Sequence, residues 1–162
     1  MRFDKLTLKA QDAVQNAQAL ATTLQHSSID AEHLLLGLLE QPEGVVRPVL
    51  EKLSADPESI RATVRADLEK QPKIQGAAAH GGNISSRLQK VFNDAFSEAE
   101  KLGDTYVSTE HFLLGLAQDA GFVGRELKAK GITRDLLLTA IEDIRGGARV
   151  TDPNAEDKYR AL

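Results

Sequence analysis

The sequence contains no cysteine and no tryptophan, a single methionine, and aromatic residues at only 4%. Without thiols it can form no disulfide, no thiol nucleophile and no cysteine-based zinc site, a pattern that fits a reducing cytosol. An excess of basic charge is also missing. Lys and Arg are scattered among Asp and Glu, and the net charge is -4. A nucleic-acid binder would concentrate its basic residues in a stripe, so no nucleic acid is expected. Long apolar runs are absent as well. The longest is interrupted by Gly37, and the opening Met1-Arg2-Phe3-Asp4-Lys5 has no signal-peptide core. These features together predict a cytoplasmic protein without membrane contact.

What fills the chain instead is Ala and Leu, strong helix formers, arranged in an internal repeat. Ile29-Asp30-Ala31-Glu32-His33-Leu34-Leu35-Leu36-Gly37-Leu38 matches Val107-Ser108-Thr109-Glu110-His111-Phe112-Leu113-Leu114-Gly115-Leu116 at an offset of 78 residues. The same offset pairs Thr7 with Ser85, Val14 with Phe92, Ala17 with Ala95 and Leu24 with Leu102. A one-residue gap then pairs Leu50 with Leu127 and Val64 with Ile141.

Each half reads as four helices, which gives an all-α, pseudo-two-fold tandem repeat of about eight helices. Leu6, Ala10, Ala13, Val14, Ala17, Leu20, Ala21 and Leu24 follow helical spacing behind a Thr7 N-cap. Asp30 caps the second helix, and Pro42 and Gly44 end it. Val45, Val49, Leu50 and Leu53 mark the third. Asp56 caps the fourth, with Pro57 at its first position, where a missing N–H does no harm. In the second half the caps are Ser85 or Ser86, then Ser108, and Thr133 starts the last helix. Gly131 ends the third of these helices and Gly146-Gly147 the fourth.

Repeat one covers about 1–70 and repeat two about 84–147, with a Gly/Ala-rich linker at 71–83. Residues 148–162 carry no apolar stripe long enough for a packed helix and read as a connector.

The paired Glu-His-Leu-Leu-Leu-Gly-Leu-like motifs, each behind an amphipathic helix, resemble the double Clp-N module of Clp chaperones, along the whole chain. Met1 to Thr7, and the stretch from Arg145 to Leu162, are similar to the ClpB branch in particular. The resemblance implies an N-terminal module of a ring-forming ATPase that threads proteins through a central pore. Its implied partners are unfolded or aggregated clients and, through the parent, a DnaK-type chaperone system. The parent would be a hexamer using ATP and magnesium, and the module itself a monomer. No Gly-x-x-x-x-Gly-Lys-Ser/Thr loop is present, so the chain by itself is expected to hold no cofactor and catalyse nothing. Gly-x-Ser-x-Gly, the signature of many serine hydrolases, is absent too.

Glu32 and Glu110 occupy equivalent first-turn positions, where a carboxylate is favoured by the helix dipole by roughly 0.3–1 kcal/mol. Either could instead grip a client's Lys or Arg. Asp104, whose repeat mate is His26, breaks the symmetry beside Glu110, and Thr7 would complete a polar cluster there. In the family it resembles, the matching threonine and acids are associated with activity. His33 and His111 adjoin these glutamates, but neighbours on a helix point about 100° apart, a poor metal arrangement. They are expected to be half-buried residues closing the helix starts. For apolar client segments the candidates are Phe3, Leu6 and Leu8 at the chain start, and Val107, Phe112 and Phe122 in the second half. An alternative reading is an adaptor-docking module, or one whose Glu32 and Glu110 hold the guanidinium of phosphorylated arginine. A third is a passive cap that gates the pore.

Overall fold

The computed structural model describes residues 2–74 and 83–160. Most of the expected linker, residues 75–82, lies outside them. After a 3-10 turn at Phe3–Lys5 come α1 (Leu8–Thr23), the short strand β1 (Ser28–Ile29), α2 (Ala31–Leu39), α3 (Val46–Lys52) and α4 (Pro57–Glu69). The second half holds β2 (Asn83–Ile84), α5 (Ser86–Lys101), α6 (Thr109–Ala117), α7 (Phe122–Ala129) and α8 (Arg134–Arg145), followed by α9 (Ala155–Arg160). Among the described residues the fold is all-α, as expected, apart from two strands of two residues each.

The helix starts follow local chemistry. The side chains of Thr7, Asp30, Asp56, Ser85 and Thr133 each accept a backbone N–H of the first turn they precede. Gly146 ends α8 in the left-handed region at φ +59°, which an L side chain adopts reluctantly.

The motif helices α2 and α6 are apolar nearly all round and form the centre of the molecule. Leu34, Leu35, Leu38, Leu39, Phe112, Leu113 and Leu116 are all fully buried. In each repeat the first helix packs on the motif helix, and the motif glycine sets how closely. A Cβ on Gly37 would lie 2.8 Å from the Ala13 carbonyl oxygen, and one on Gly115 would lie 2.5 Å from that of Val91. Ala13 and Val91 are themselves repeat mates, so both halves use the same close crossing.

The repeats are joined by exchanged backbone pairing. Ile29 pairs with Ile84 in the parallel β1–β2 ladder, and Leu6 bridges Val107, also in parallel. Leu6 and Ile84 are repeat mates, and so are Ile29 and Val107. Likewise the Thr7 N–H donates to the Val107 carbonyl and the Ser85 N–H to the Ile29 carbonyl, both at 3.0 Å. Each half thus lends the strand before its first helix to the other, as a pseudo-two-fold axis requires.

The C-terminal stretch departs from expectation. Residues 148–160 do not leave the domain but run back over it as a strap. Val150, Ala155, Glu156 and Tyr159 are buried, and α9 packs against α8. Sequence periodicity misses this because the contacts are mainly polar and backbone. The Val150 carbonyl accepts from Thr105 N–H at 2.8 Å, and that of Pro153 accepts from Leu8 N–H at 2.9 Å.

Candidate functional site

The pseudo-two-fold axis creates two related polar clusters, one at each junction between the repeats. At the first, the Ser85 hydroxyl donates to Asp30 Oδ1 at 2.8 Å, and Ala31 N–H donates to the same oxygen at 2.8 Å. At the second, the Thr7 hydroxyl donates to Glu156 Oε2 at 2.7 Å, and Thr109 N–H donates to it at 3.1 Å. Thr7 is the mate of Ser85 and Thr109 that of Ala31. The carboxylate that repeat one carries on its own cap residue is therefore supplied at the second junction by the strap, because the cap there is a short serine, Ser108.

The motif histidines sit alike in both clusters, each in a capping box. His33 Nδ1 accepts Asp30 N–H at 2.8 Å and His111 Nδ1 accepts Ser108 N–H at 2.7 Å. This leaves the Nε2 proton of each ring facing the residue seven positions earlier. His111 Nε2 donates to Asp104 Oδ2 at 2.7 Å, and His33 Nε2 donates to His26 Nδ1 at 2.8 Å. Both rings are fully buried rather than half-buried. Burial lowers the pKa of His33 to about 4, and neighbouring His26 adds to the effect against the opposing pull of Asp30.

Each motif glutamate meets an arginine of the chain itself. Arg145 Nε donates to Glu110 Oε2 at 2.9 Å, and its Nη1 to Asp104 Oδ2 at 3.0 Å. The Tyr159 hydroxyl also donates to Glu110 Oε2, and the Arg145 guanidinium lies 5.6 Å from the centre of the Tyr159 ring. Burial pushes the Glu110 carboxyl up, but Arg145 and the surrounding donors outweigh it and hold the group below its ordinary range. Glu156 lies in the same pocket. Burial first, and then the charge of Glu110, push its pKa up to about 7.

The first cluster is looser. Arg87 forms a two-pronged pair with Asp119, at 3.1 and 2.6 Å, and reaches Asp30 at 3.5 Å and Glu32 at 3.4 Å. Burial, and next a hydrogen bond with Asp67, raise Glu32 to about 7 against the pull of Arg87. Arg87 keeps 33% of its side chain in solvent, whereas Arg145 keeps 1%.

This geometry corrects the reading of several candidates. Thr7, Asp104 and Glu110 do come together, but as a sealed cluster beneath the strap. No client side chain can reach them while the strap is docked. Glu32 is buried as well, and its carboxylate faces Arg87. Val107 is covered in the cross-repeat bridge, and Phe112 packs in the core on Phe92 with ring centres 5.4 Å apart. Leu6 is core too. Of the candidates, Phe3 at 37% and Leu8 at 47% exposure are on the surface. The residues missed were Arg145, Arg87, Glu156 and Tyr159. Arg145 did leave a signal, since it follows Leu137 and Ile141 at four-residue spacing on the buried face of α8.

One accessible apolar feature is a groove of about 330 Å³ beside the chain start. Phe92 and Phe96 line it together with Gln89, Asn93 and Arg2. Phe96 is half-buried, and Arg2 adjoins the turn that carries Phe3.

Among the described residues no helix is long and apolar enough to cross a membrane, and no group of three or more His, Asp or Glu is arranged to hold a metal.

Comparison with known proteins gives a consistent set of relatives. Residues 5–130 match the Clp repeat N-terminal domain model. The chaperone protein ClpB of Rhodopirellula baltica is 42% identical over 161 residues, covering 99% of this chain and 18% of the relative. The chain thus spans about a fifth of the length of the curated relatives it matches. The Hsp104 N-terminal domain of Candida albicans superposes with a TM-score of 0.79 at 22% identity, over 94% of this chain and 99% of the other. The ClpV N-domain in complex with a VipB peptide gives 0.71 at 20% identity, over 86% of each chain. At those identities the structural likeness is one of fold.

Proposed function

The chain belongs to the family of Clp repeat N-terminal domains, and from that premise we propose that it engages unfolded or aggregated proteins for a ClpB-type disaggregating chaperone. In that role it hands clients to the hexameric ATPase ring of a longer protein that works with a DnaK-type system. The chain carries no Gly-x-x-x-x-Gly-Lys-Ser/Thr phosphate-binding loop.

The groove over Phe92 and Phe96 is the observation that carries this reading. It offers an apolar floor, the side-chain amides of Gln89 and Asn93 at its edge, and exposed Phe3 on the adjoining turn. Such a surface suits an extended segment with one or two large apolar side chains. Burying each contributes about 1.5–3 kcal/mol before ordering costs, which corresponds to a weak, transient hold. A threading machine needs that, because it must release what it catches.

The phosphoarginine alternative loses support, since the chain's own Arg87 and Arg145 lie against Glu32 and Glu110. Docking of a folded adaptor remains the competing outcome. An NMR titration of the labelled domain with an unfolded model protein distinguishes them. Shifts centred on Phe3, Gln89, Asn93 and Phe96, lost in Phe96→Ser, are expected. No shifts at high client concentration, together with saturable one-to-one binding of a folded adaptor, would overturn the client reading.

A further inference from the structure

We propose that residues 148–160 are a latch, a strap that docks and undocks as one unit on repeats that stay folded, with the Glu156 carboxylate as its key.

The two junctions differ in just this respect. At the first, the acid that joins the Ser85 hydroxyl to the Ala31 amide is Asp30, built into the helix start. At the second, the acid that joins the Thr7 hydroxyl to the Thr109 amide is Glu156, which arrives on a separate segment. Repeat one cannot release its carboxylate without unfolding α2. Repeat two can do so by lifting the strap.

The strap buries few apolar side chains for its length. Its buried apolar side chains are Val150, Ala155 and Tyr159. α9 has six residues, well under the roughly 12–15 that an isolated helix needs. Docking places two carboxylates together in a buried pocket, and among the described residues Glu110 Oε1 and Glu156 Oε1 both lack hydrogen-bond partners there. Undocking returns Glu156 to water and relieves that repulsion. The hinge is already in place at Gly146 and Gly147, whose φ angles are +59° and +89°.

Undocking does two things. It frees thirteen residues, 148–160, which extended span roughly 45 Å and lengthen any tether by up to that amount. It also uncovers Thr7, Thr109 and Glu110, which the docked strap seals. The latch stands whether or not the domain binds clients, and its test contains none.

Four amides report on the strap's seat. Those of Leu8, Thr105 and Thr109 donate to Pro153, Val150 and Glu156, and that of Val150 donates to Asp104. Native-state hydrogen exchange on the whole chain is expected to show all four opening together, at least tenfold more often than interior amides of α2 and α6. Tyr159→Phe, which removes the hydroxyl donated to Glu110, is expected to speed exchange of these four about tenfold and leave α2 and α6 unchanged. If the four exchange only through global unfolding, or if Val150 opens while Leu8 and Thr109 stay protected, the latch is refuted.

Discussion

Replacing Glu110 with alanine separates the two meanings that a first-turn carboxylate can have. A plain helix-dipole role would make the change worth roughly 0.3–1 kcal/mol. The structure assigns Glu110 a larger part. Its Oε2 takes the Arg145 Nε at 2.9 Å and the Tyr159 hydroxyl, in a pocket where Glu110 is fully buried and Arg145 is 1% exposed. Removing the carboxylate leaves a buried guanidinium with Asp104 as its remaining acid partner. Breaking a buried pair from one side costs about 3–5 kcal/mol, and the surviving Asp104 contact at 3.0 Å argues for the lower figure. Small domains hold together by only about 5–15 kcal/mol, so roughly 3 kcal/mol lowers the melting point by about 6–12 °C at this size. Urea and thermal unfolding followed by circular dichroism measure this directly. Glu110→Gln serves as the companion, because it keeps the shape and one acceptor while removing the charge, and it should fall in between. A Glu110→Ala midpoint within about 0.5 kcal/mol of the wild type would show that the buried network does not carry the stability assigned to it.

Other expectations follow from the same contacts. His33 has its pKa lowered from 6.5 to about 4, so the stability it lends is complete above pH 6.5 and is lost as pH falls toward 4, up to roughly 3 kcal/mol; urea unfolding of wild type and His33→Gln between pH 4 and 7 measures the difference, and parallel curves would refute it. Glu156 runs the other way. With its pKa raised from 4.5 to about 7, its contribution is complete below pH 4.5 and is lost as pH rises through 7, so Glu156→Gln should gain on the wild type by up to about 3 kcal/mol between pH 4.5 and 8; a pH-independent gap in urea midpoints would contradict this. Gly115→Ala drives a Cβ to 2.5 Å from the Val91 carbonyl oxygen, and forcing the helices apart should cost about 1–3 kcal/mol; an unchanged urea midpoint would show that α5 and α6 can yield.

Much of this architecture was legible in the residues because it rests on local rules. The offset of 78 announces two copies of one unit, and Thr7, Asp30, Asp56 and Ser85 cap the helices they precede because each cap bonds an amide of the turn beside it. The candidate site was legible only as a meeting of residue types. Thr7, Asp104 and Glu110 do converge, yet their surroundings turn surface acids into a sealed network. The signal of Arg145 lies in the spacing of α8, not near the motif it serves. The strap left less still: Ala155 and Tyr159 stand four apart, too little for periodicity to mark.

The sequence by itself determined the helices α1 to α8, their caps and the duplication, since these depend on neighbours along the chain or on symmetry between copies. Tertiary structure alone decided which acids face water. Glu156 meets Thr7 across 149 positions and Arg145 meets Glu110 across 35. Contacts that distant arise from how the two repeats exchange their entry strands and where the strap returns, and burial then sets whether a carboxylate pairs, protonates or stays free to bind.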